Sequence, residues 1–266
     1  MTYAPDSLAL ITGASSGIGA VYAEKLARRG HDLILVARDA ARLSALAERL
    51  RGETGRAVTV LPADLTDPVQ VAKVAEIIAG APNLGLLINN AGMALHGTLT
   101  TVAVEDIQRM IALNITAPAL LARAAALRFA AQGSGAIVNM ASVLALAPEM
   151  FDGTYSGTKA FILNLSQSLA RQLADSGVQV QAVLPGATRT EIWERAGQDV
   201  DGFPPEMVME AGDLVDAALV GLDRGETVTI PPLADIAGWE AINNARLALA
   251  PHLSRRDVAS RYLATV

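Results

Sequence analysis

Leu8-Ala9-Leu10-Ile11-Thr12-Gly13-Ala14-Ser15-Ser16-Gly17-Ile18-Gly19 is an apolar run that breaks into closely spaced glycines. Its first five residues suit a buried strand, and the chain after Gly17 has helical spacing as far as Arg29-Gly30. Glycines at 13, 17 and 19 let the backbone turn tightly off the strand and let an anion approach the amides that open the helix. Those amides lack partners within the helix and carry the positive end of its dipole, so the loop is suited to the phosphates of a nucleotide. The spacing departs from Gly-x-Gly-x-x-Gly, and no Gly-Lys-Ser/Thr follows, which argues against a phosphoryl-transfer loop.

Outward from this loop, similar apolar runs recur at Leu33–Val36, Val58–Leu61, Leu84–Ile88, Ala136–Met140, Val178–Leu184 and Thr227–Ile230, with longer helical stretches between them. Near-continuous apolar strands suit a parallel sheet covered on both faces. The expected fold is therefore α/β, a Rossmann-like doubly wound parallel sheet of about seven strands in one domain over residues 1–266. Residues 188–212 hold Trp193, Gly197, Gly202, Phe203, Pro204 and Pro205 without a clean period, as expected of an irregular substrate segment.

Composition narrows the function. With 52% hydrophobic residues in 266, the chain can bury a sizeable core, and with no cysteine it has no thiolate nucleophile, disulfide or zinc-thiolate site. Redox chemistry would need a cofactor. A net charge of −6 with no dense Lys/Arg cluster argues against nucleic acid as partner. Met1–Ser7 lacks a basic residue ahead of an apolar stretch, and the run Ile115–Leu127 is broken by Pro118 and Arg123, short of the roughly 18 residues a span needs. A cytoplasmic protein with no membrane partner is expected. His31, His96 and His252 have no ligand spacing, so no metal is expected.

Four further motifs carry chemistry: Asn89-Asn90-Ala91-Gly92 after the fourth strand, Leu113-Asn114-Ile115, Ser142 after the fifth strand, and Tyr155-Ser156-Gly157-Thr158-Lys159 opening the next helix. Tyr155 and Lys159 are four apart and share one helix face, where an ammonium should favour the phenolate. Together with the glycine loop, these motifs make the sequence resemble the short-chain dehydrogenase/reductases, in the family's order and spacing from Ser7 to about Thr190. Gly157 and Ala117 depart from an alanine and a glycine often found in the family, and neither touches a reacting group.

The resemblance implies an oxidoreductase that moves a hydride between NADP(H) and a carbonyl or alcohol carbon. It makes Tyr155 the general acid/base, Ser142 the hydroxyl that orients the substrate oxygen, Lys159 the tuning and ribose-binding amine, and Asn114 the holder of a relay water. The implied cofactor residues are Gly13, Ser15, Ser16, Gly17, Ile18, Gly19, Asp64, Leu65, Asn90, Ala91, Gly92, Tyr155 and Lys159, with Pro185, Gly186, Thr188 and Thr190 around the nicotinamide. Family members commonly pair through helices corresponding to Ala117–Ala131 and Phe161–Leu173, so a homodimer or homotetramer is expected.

Cofactor choice turns on Val36-Ala37-Arg38-Asp39. NAD-binding members carry an acid where Ala37 stands, whereas Arg38 offers charge-assisted contacts to a 2′-phosphate and Ser15 can add a hydroxyl. The alternative is that Arg38 solvates a helix start capped by Asp39. Val143, Leu144, Met150, Phe151 and Trp193, with Met93, Leu95, Phe203 and Met207 as additions, are the expected pocket for a mainly apolar substrate. A non-catalytic NADP(H) sensor or scaffold with the same fold is the second reading, and it should have lost part of the Ser-Tyr-Lys set, all of which this chain keeps.

Overall fold

The computed structural model describes residues 6–263. Residues 1–5, on which most of the N-terminal expectation rests, and 264–266 lie outside the described part. In chain order the strands are β1 (Leu8–Thr12), β2 (Leu33–Ala37), β3 (Val58–Pro62), β4 (Leu84–Asn89), β5 (Gly135–Met140), β6 (Val178–Val183), β7 (Thr188–Arg189), β8 (Met209–Glu210) and β9 (Val228–Thr229). Seven of them pair in parallel in the order β3-β2-β1-β4-β5-β6-β9, while β7 and β8 form a separate two-strand ladder.

The strands are apolar throughout because successive residues feed different layers. Ala9, Ile11, Leu33, Leu35, Leu86 and Ile88 join a core under α1 (Gly17–Arg28), α2 (Ala40–Thr54) and α8 (Ala211–Asp223). Leu10, Ile34, Val36, Leu84, Leu87 and Ile137 join a second core under α3 (Pro68–Gly80) and α5 (Ala117–Gln132). The winding reverses between β1 and β4, which places a crevice at the carboxyl ends of those strands.

Between α4 (Val104–Ile111) and α5 the helix takes one π-helical turn at Ala112–Thr116, which contains Asn114. The combined stretch Val104–Gln132 is 29 residues long and apolar enough to cross a membrane, more than the sequence expectation for Ile115–Leu127 allowed. Its apolarity has a local cause: α5 buries Ala117, Leu121, Ala122, Ala125 and Phe129, and it packs against α3 and the sheet.

Residues 188–212 are better ordered than the aperiodic sequence suggests. They contain β7, a short α7 (Ile192–Arg195), two 3₁₀ turns and β8, and Arg189 ties the base of the segment to Glu210 at 2.9 Å. The sheet and its helices form one compact unit up to Pro232, and the chain from Leu233 forms a second unit around α9 (Ala237–Leu249). The sequence reading drew no boundary there; its local sign is the pair Pro231-Pro232.

Beneath the crevice a polar chain crosses the core. Asn89 Nδ2 donates to Asn139 Oδ1 at 3.0 Å, and Asn139 Nδ2 donates to Ser166 Oγ at 3.0 Å on α6 (Gly153–Gln172), joining two strands and a helix. Asn139 is fully buried, so Asn139→Ala strips two buried groups of a partner, at a cost of about 2 to 3 kcal/mol. A circular dichroism melt of this variant should show a midpoint roughly 5 to 10 °C lower. An unchanged midpoint would mean that the chain does not bear load.

Candidate active site

The glycine loop is held from below. Thr12 Oγ1 donates to Ile88 O at 3.3 Å and accepts from the amides of Asn90 and Ala91, each at 3.0 Å. Asn90 Nδ2 donates to Thr12 O at 3.0 Å and Gly13 O at 3.3 Å. This close approach explains two glycines. Gly13 has φ +67° and a Cβ there would meet Asn90 Nδ2 at 2.8 Å; a Cβ on Gly19 would sit 2.2 Å from Gly13 O. Ser16 caps α1 with extended backbone but without a side-chain capping bond, and the first turn of α1 holds no acid, so its amides face the loop without an internal anion. Ser15 lies half-buried in this loop, and Ile18 packs onto the core.

Tyr155 and Lys159 occupy the first turns of α6, which Asp152 caps by accepting from the Tyr155 amide at 2.8 Å. Lys159 Nζ lies 5.6 Å from the Tyr155 ring centroid and donates to Met140 O at 3.0 Å, at the end of β5. Ser142 lies just beyond β5, where its Oγ accepts from the Leu144 amide at 3.1 Å and its hydroxyl acts electrostatically on the Tyr155 phenol. Asn114 is fixed by the π-helical turn: its side chain accepts from the Met93 amide at 2.9 Å, donates to Met93 O at 2.8 Å and reaches Thr158 Oγ1 at 3.2 Å. Gly92 closes the group, since a Cβ there would lie 3.4 Å from Asn114 Oδ1 and 3.5 Å from Lys159 Nζ.

The electrostatics differ from the sequence expectation of a lowered tyrosine pKa. Burial pushes the Tyr155 phenol up to about 12, against a smaller downward pull from the Ser142 hydroxyl. Burial also pushes the Lys159 amine down to about 8. Desolvation acts on both groups, disfavouring the phenolate and the ammonium separately.

The remaining expected residues fall into three groups. Pro185 O accepts from the Val143 amide at 2.9 Å and from Ser142 Oγ at 3.4 Å; Thr188 Oγ1 donates to Gly186 O at 3.1 Å; and Thr190 lies where a Gly17 Cβ would touch it, at 3.2 Å. Asp64 accepts from the Thr66 amide and hydroxyl, and Leu65 is a core residue. Arg38 is exposed, with no ion pair among the described residues, while Asp39 does cap α2 by accepting from the Arg42 amide at 2.9 Å.

The expected pocket is met unevenly. Tyr155, Phe151, Trp193 and Phe203 form an aromatic row with successive centroids 5.7, 6.4 and 4.9 Å apart, and Trp193 Nε1 donates to Thr188 O at 2.8 Å. Val143 and Leu144 are half-buried beside Ser142. Met150 and Met207 are exposed. Met93 and Leu95 instead line an open cleft of about 570 Å³ whose other walls include His96, Asp106, Arg109 and Arg195, and no catalytic candidate lines it.

Sequence reasoning missed Thr12, Asn89 and Asn139 as the frame of the site, although a polar residue inside an all-apolar strand is the signal that finds Asn139. It also missed an ion-pair chain over the crevice. Glu191 pairs with Arg42 at 2.7 Å and with Arg195 at 2.6 Å. Among the described residues, no group of three or more His, Cys, Asp or Glu is placed to hold a metal.

A doubly wound sheet with a glycine loop at its switch point defines a dinucleotide-fold protein. The sequence profile of the short chain dehydrogenases matches residues 7–201, and the chain belongs to that family. An uncharacterized oxidoreductase of Staphylococcus epidermidis is 32% identical over 231 residues, which make up 86% of this chain and 96% of the relative. A short-chain dehydrogenase from Sphingobium yanoikuyae, solved in complex with NADPH, is 55% identical with a TM-score of 0.94, over 97% of this chain and 100% of that one. The bulky-bulky ketone specific alcohol dehydrogenase from Comamonas testosteroni is 46% identical with a TM-score of 0.90, over 98% and 100%.

The depressed lysine has a consequence for stability. With a pKa near 8 folded and 10.5 unfolded, Lys159 binds its proton more weakly in the native state, so its charge opposes folding below pH 8. That penalty, about 3 kcal/mol in full, fades as pH climbs from 8 toward 10.5. Without cofactor, Lys159→Met should therefore melt several degrees above the parent at about pH 7, with the gap narrowing by about pH 9.5. A variant that melts lower at neutral pH would show that the ammonium is not penalised by its burial.

Proposed function

We propose that this protein is an NADP(H)-dependent oxidoreductase acting on ketones, or the matching secondary alcohols, with a sizeable group on each side of the carbonyl. The observation that carries the reading is the convergence of Ser142, Tyr155, Lys159 and Asn114 beside the glycine loop. The residues fit the cofactor. The α1 amides and the bare Gly13 and Gly92 backbones can hold the pyrophosphate and nicotinamide ribose, and unpaired Arg38 can hold the 2′-phosphate. When bound, the nicotinamide supplies or takes up the hydride.

In reduction, Ser142 donates a hydrogen bond to the substrate oxygen and sets it beside Tyr155 Oη. The tyrosine then gives that oxygen its proton. A phenol held near 12 stays protonated throughout the working range, which suits a donor. Lys159 holds the ribose and restores the proton through a water kept by Asn114. The aromatic row of Phe151, Trp193 and Phe203, which starts at the Tyr155 ring, would take one substituent. A sizeable group on each side of the carbonyl is the substrate class in the name of the Comamonas testosteroni relative, which is 46% identical to this chain.

Assembly as a homodimer or homotetramer belongs to the same reading. Leu120 and Leu127, two turns apart on α5, and Phe161 on α6 are exposed apolar residues suited to a symmetric contact. Light scattering at micromolar concentration should show at least a dimer, and a strictly monomeric species would refute it.

Tyr155→Phe keeps the ring and removes the proton donor. Turnover of a diaryl or aryl-alkyl ketone should fall by about 10² to 10⁴ with NADPH affinity retained. Turnover within threefold of the parent would remove Tyr155 from the mechanism. For the cofactor, Arg38→Ala should raise the NADPH Kd by about ten- to a hundredfold and the NADH Kd far less. Equal losses, or a parent that prefers NADH, would contradict the NADP(H) reading.

A further inference from the structure

Glu191, at the head of α7 in the 188–212 segment, lies at the centre of a cationic cluster drawn from three parts of the chain. Arg42 Nη1, in the first turn of α2, reaches both of its oxygens, at 2.9 and 2.7 Å. Arg195 Nη2, at the end of α7, donates to Glu191 Oε2 at 2.6 Å and to Ser16 Oγ in the glycine loop at 3.2 Å. Arg42 is also steadied by Asp39, 3.5 Å from its Nε. Two guanidiniums converging on one carboxylate, one of them also held by the Ser16 hydroxyl, are the donors that a phosphate would use.

The position is informative. Ser16 opens α1 and Arg42 opens α2, so the carboxylate bridges the glycine loop and the end of β2, between which a dinucleotide fold places the adenosine ribose. Arg42, in the first turn of α2, lies four residues beyond Arg38, which precedes the Asp39 cap. All three ionic side chains are half-exposed, at 50% for Arg42, 40% for Glu191 and 56% for Arg195, so a soluble anion can reach them and they can exchange partners.

We infer that Glu191 is an internal stand-in for the cofactor's 2′-phosphate: it occupies Arg42 until that phosphate displaces it, and thereby sets how strongly the enzyme prefers NADPH over NADH. The inference rests on the NADP(H) reading above and adds a specificity-determining residue to it. A phosphate dianion outbids one carboxylate for Arg42, while Arg195 retains Glu191 and keeps it attached to the 188–212 segment. NADH carries no group that competes. Glu191 therefore acts through Arg42, not by touching the reacting atoms.

The test is cofactor affinity by titration calorimetry on the intact protein, with NADPH and NADH, for the parent, Glu191→Gln, Arg42→Ala and the double variant. Glu191→Gln keeps the shape and removes the competing charge, so the NADPH Kd should drop about three- to tenfold, with NADH within twofold. Arg42→Ala should weaken NADPH by about tenfold and leave NADH within twofold. In the double variant the gain from Glu191→Gln should vanish, a non-additivity that a merely structural ion pair would not give. A parent that prefers NADH overturns the cofactor reading and this inference with it. A parent that prefers NADPH, with a Glu191→Gln ratio within twofold of the parent's or weaker NADPH binding, overturns this inference alone.

Discussion

The close approach of the glycine loop to the end of β4 is the constraint on which the rest depends. Thr12 and Asn90 lash the two strand ends together with hydrogen bonds to backbone, leaving no room for a Cβ at Gly13 or Gly19. The β1–β4 switch point is thus narrow below and open above. Lys159 and Asn114 reach the same opening from the other side, over Gly92. Beneath them the Asn89–Asn139–Ser166 chain fixes the distance from β4 through β5 to α6. The crevice is set by hydrogen bonds between neighbours in the sheet, and its polar residues are oriented before any ligand arrives.

Most of this architecture was legible in the sequence. Seven apolar runs marked the seven strands of the main sheet to within two residues, because strands covered on both faces have no polar side to blur their ends. The catalytic candidates were legible for a different reason: Tyr155 and Lys159 are one helical turn apart, and Asn114 and Ser142 stand in motifs whose order is itself a signature. What stayed hidden depends on partners far apart in the chain. Glu191 meets Arg42 across 149 residues, and no local pattern signals that meeting. The order within 188–212 was hidden likewise, since β7 and β8 are two residues each and draw their stability from each other.

The tyrosine–lysine pair shows where spacing misleads about energy. Helical geometry brings the two groups onto one face, and from that alone an ammonium should ease ionisation of the phenol. The fold also takes both groups out of water, which disfavours each charge separately, so the phenol rises and the amine falls. Proximity was readable from the sequence; the dielectric around the pair was not, because it is made by β5, the π-helical turn and α6 together.

The β7–β8 ladder makes the 188–212 segment leave and rejoin the scaffold at adjacent residues, with Thr188 beside Met209 and Arg189 beside Glu210. A loop whose two feet share one footing can change in length at small cost, since each doubling adds only about 0.6 kcal/mol of closure entropy. Trp193 and Phe203, whose rings lie 4.9 Å apart in the row that leads to Tyr155, hang on that loop. Insertions and exchanges there can reshape what the enzyme accepts while the hydrogen bonds under the glycine loop stay untouched, so the fold separates the part of itself that can evolve from the part that cannot.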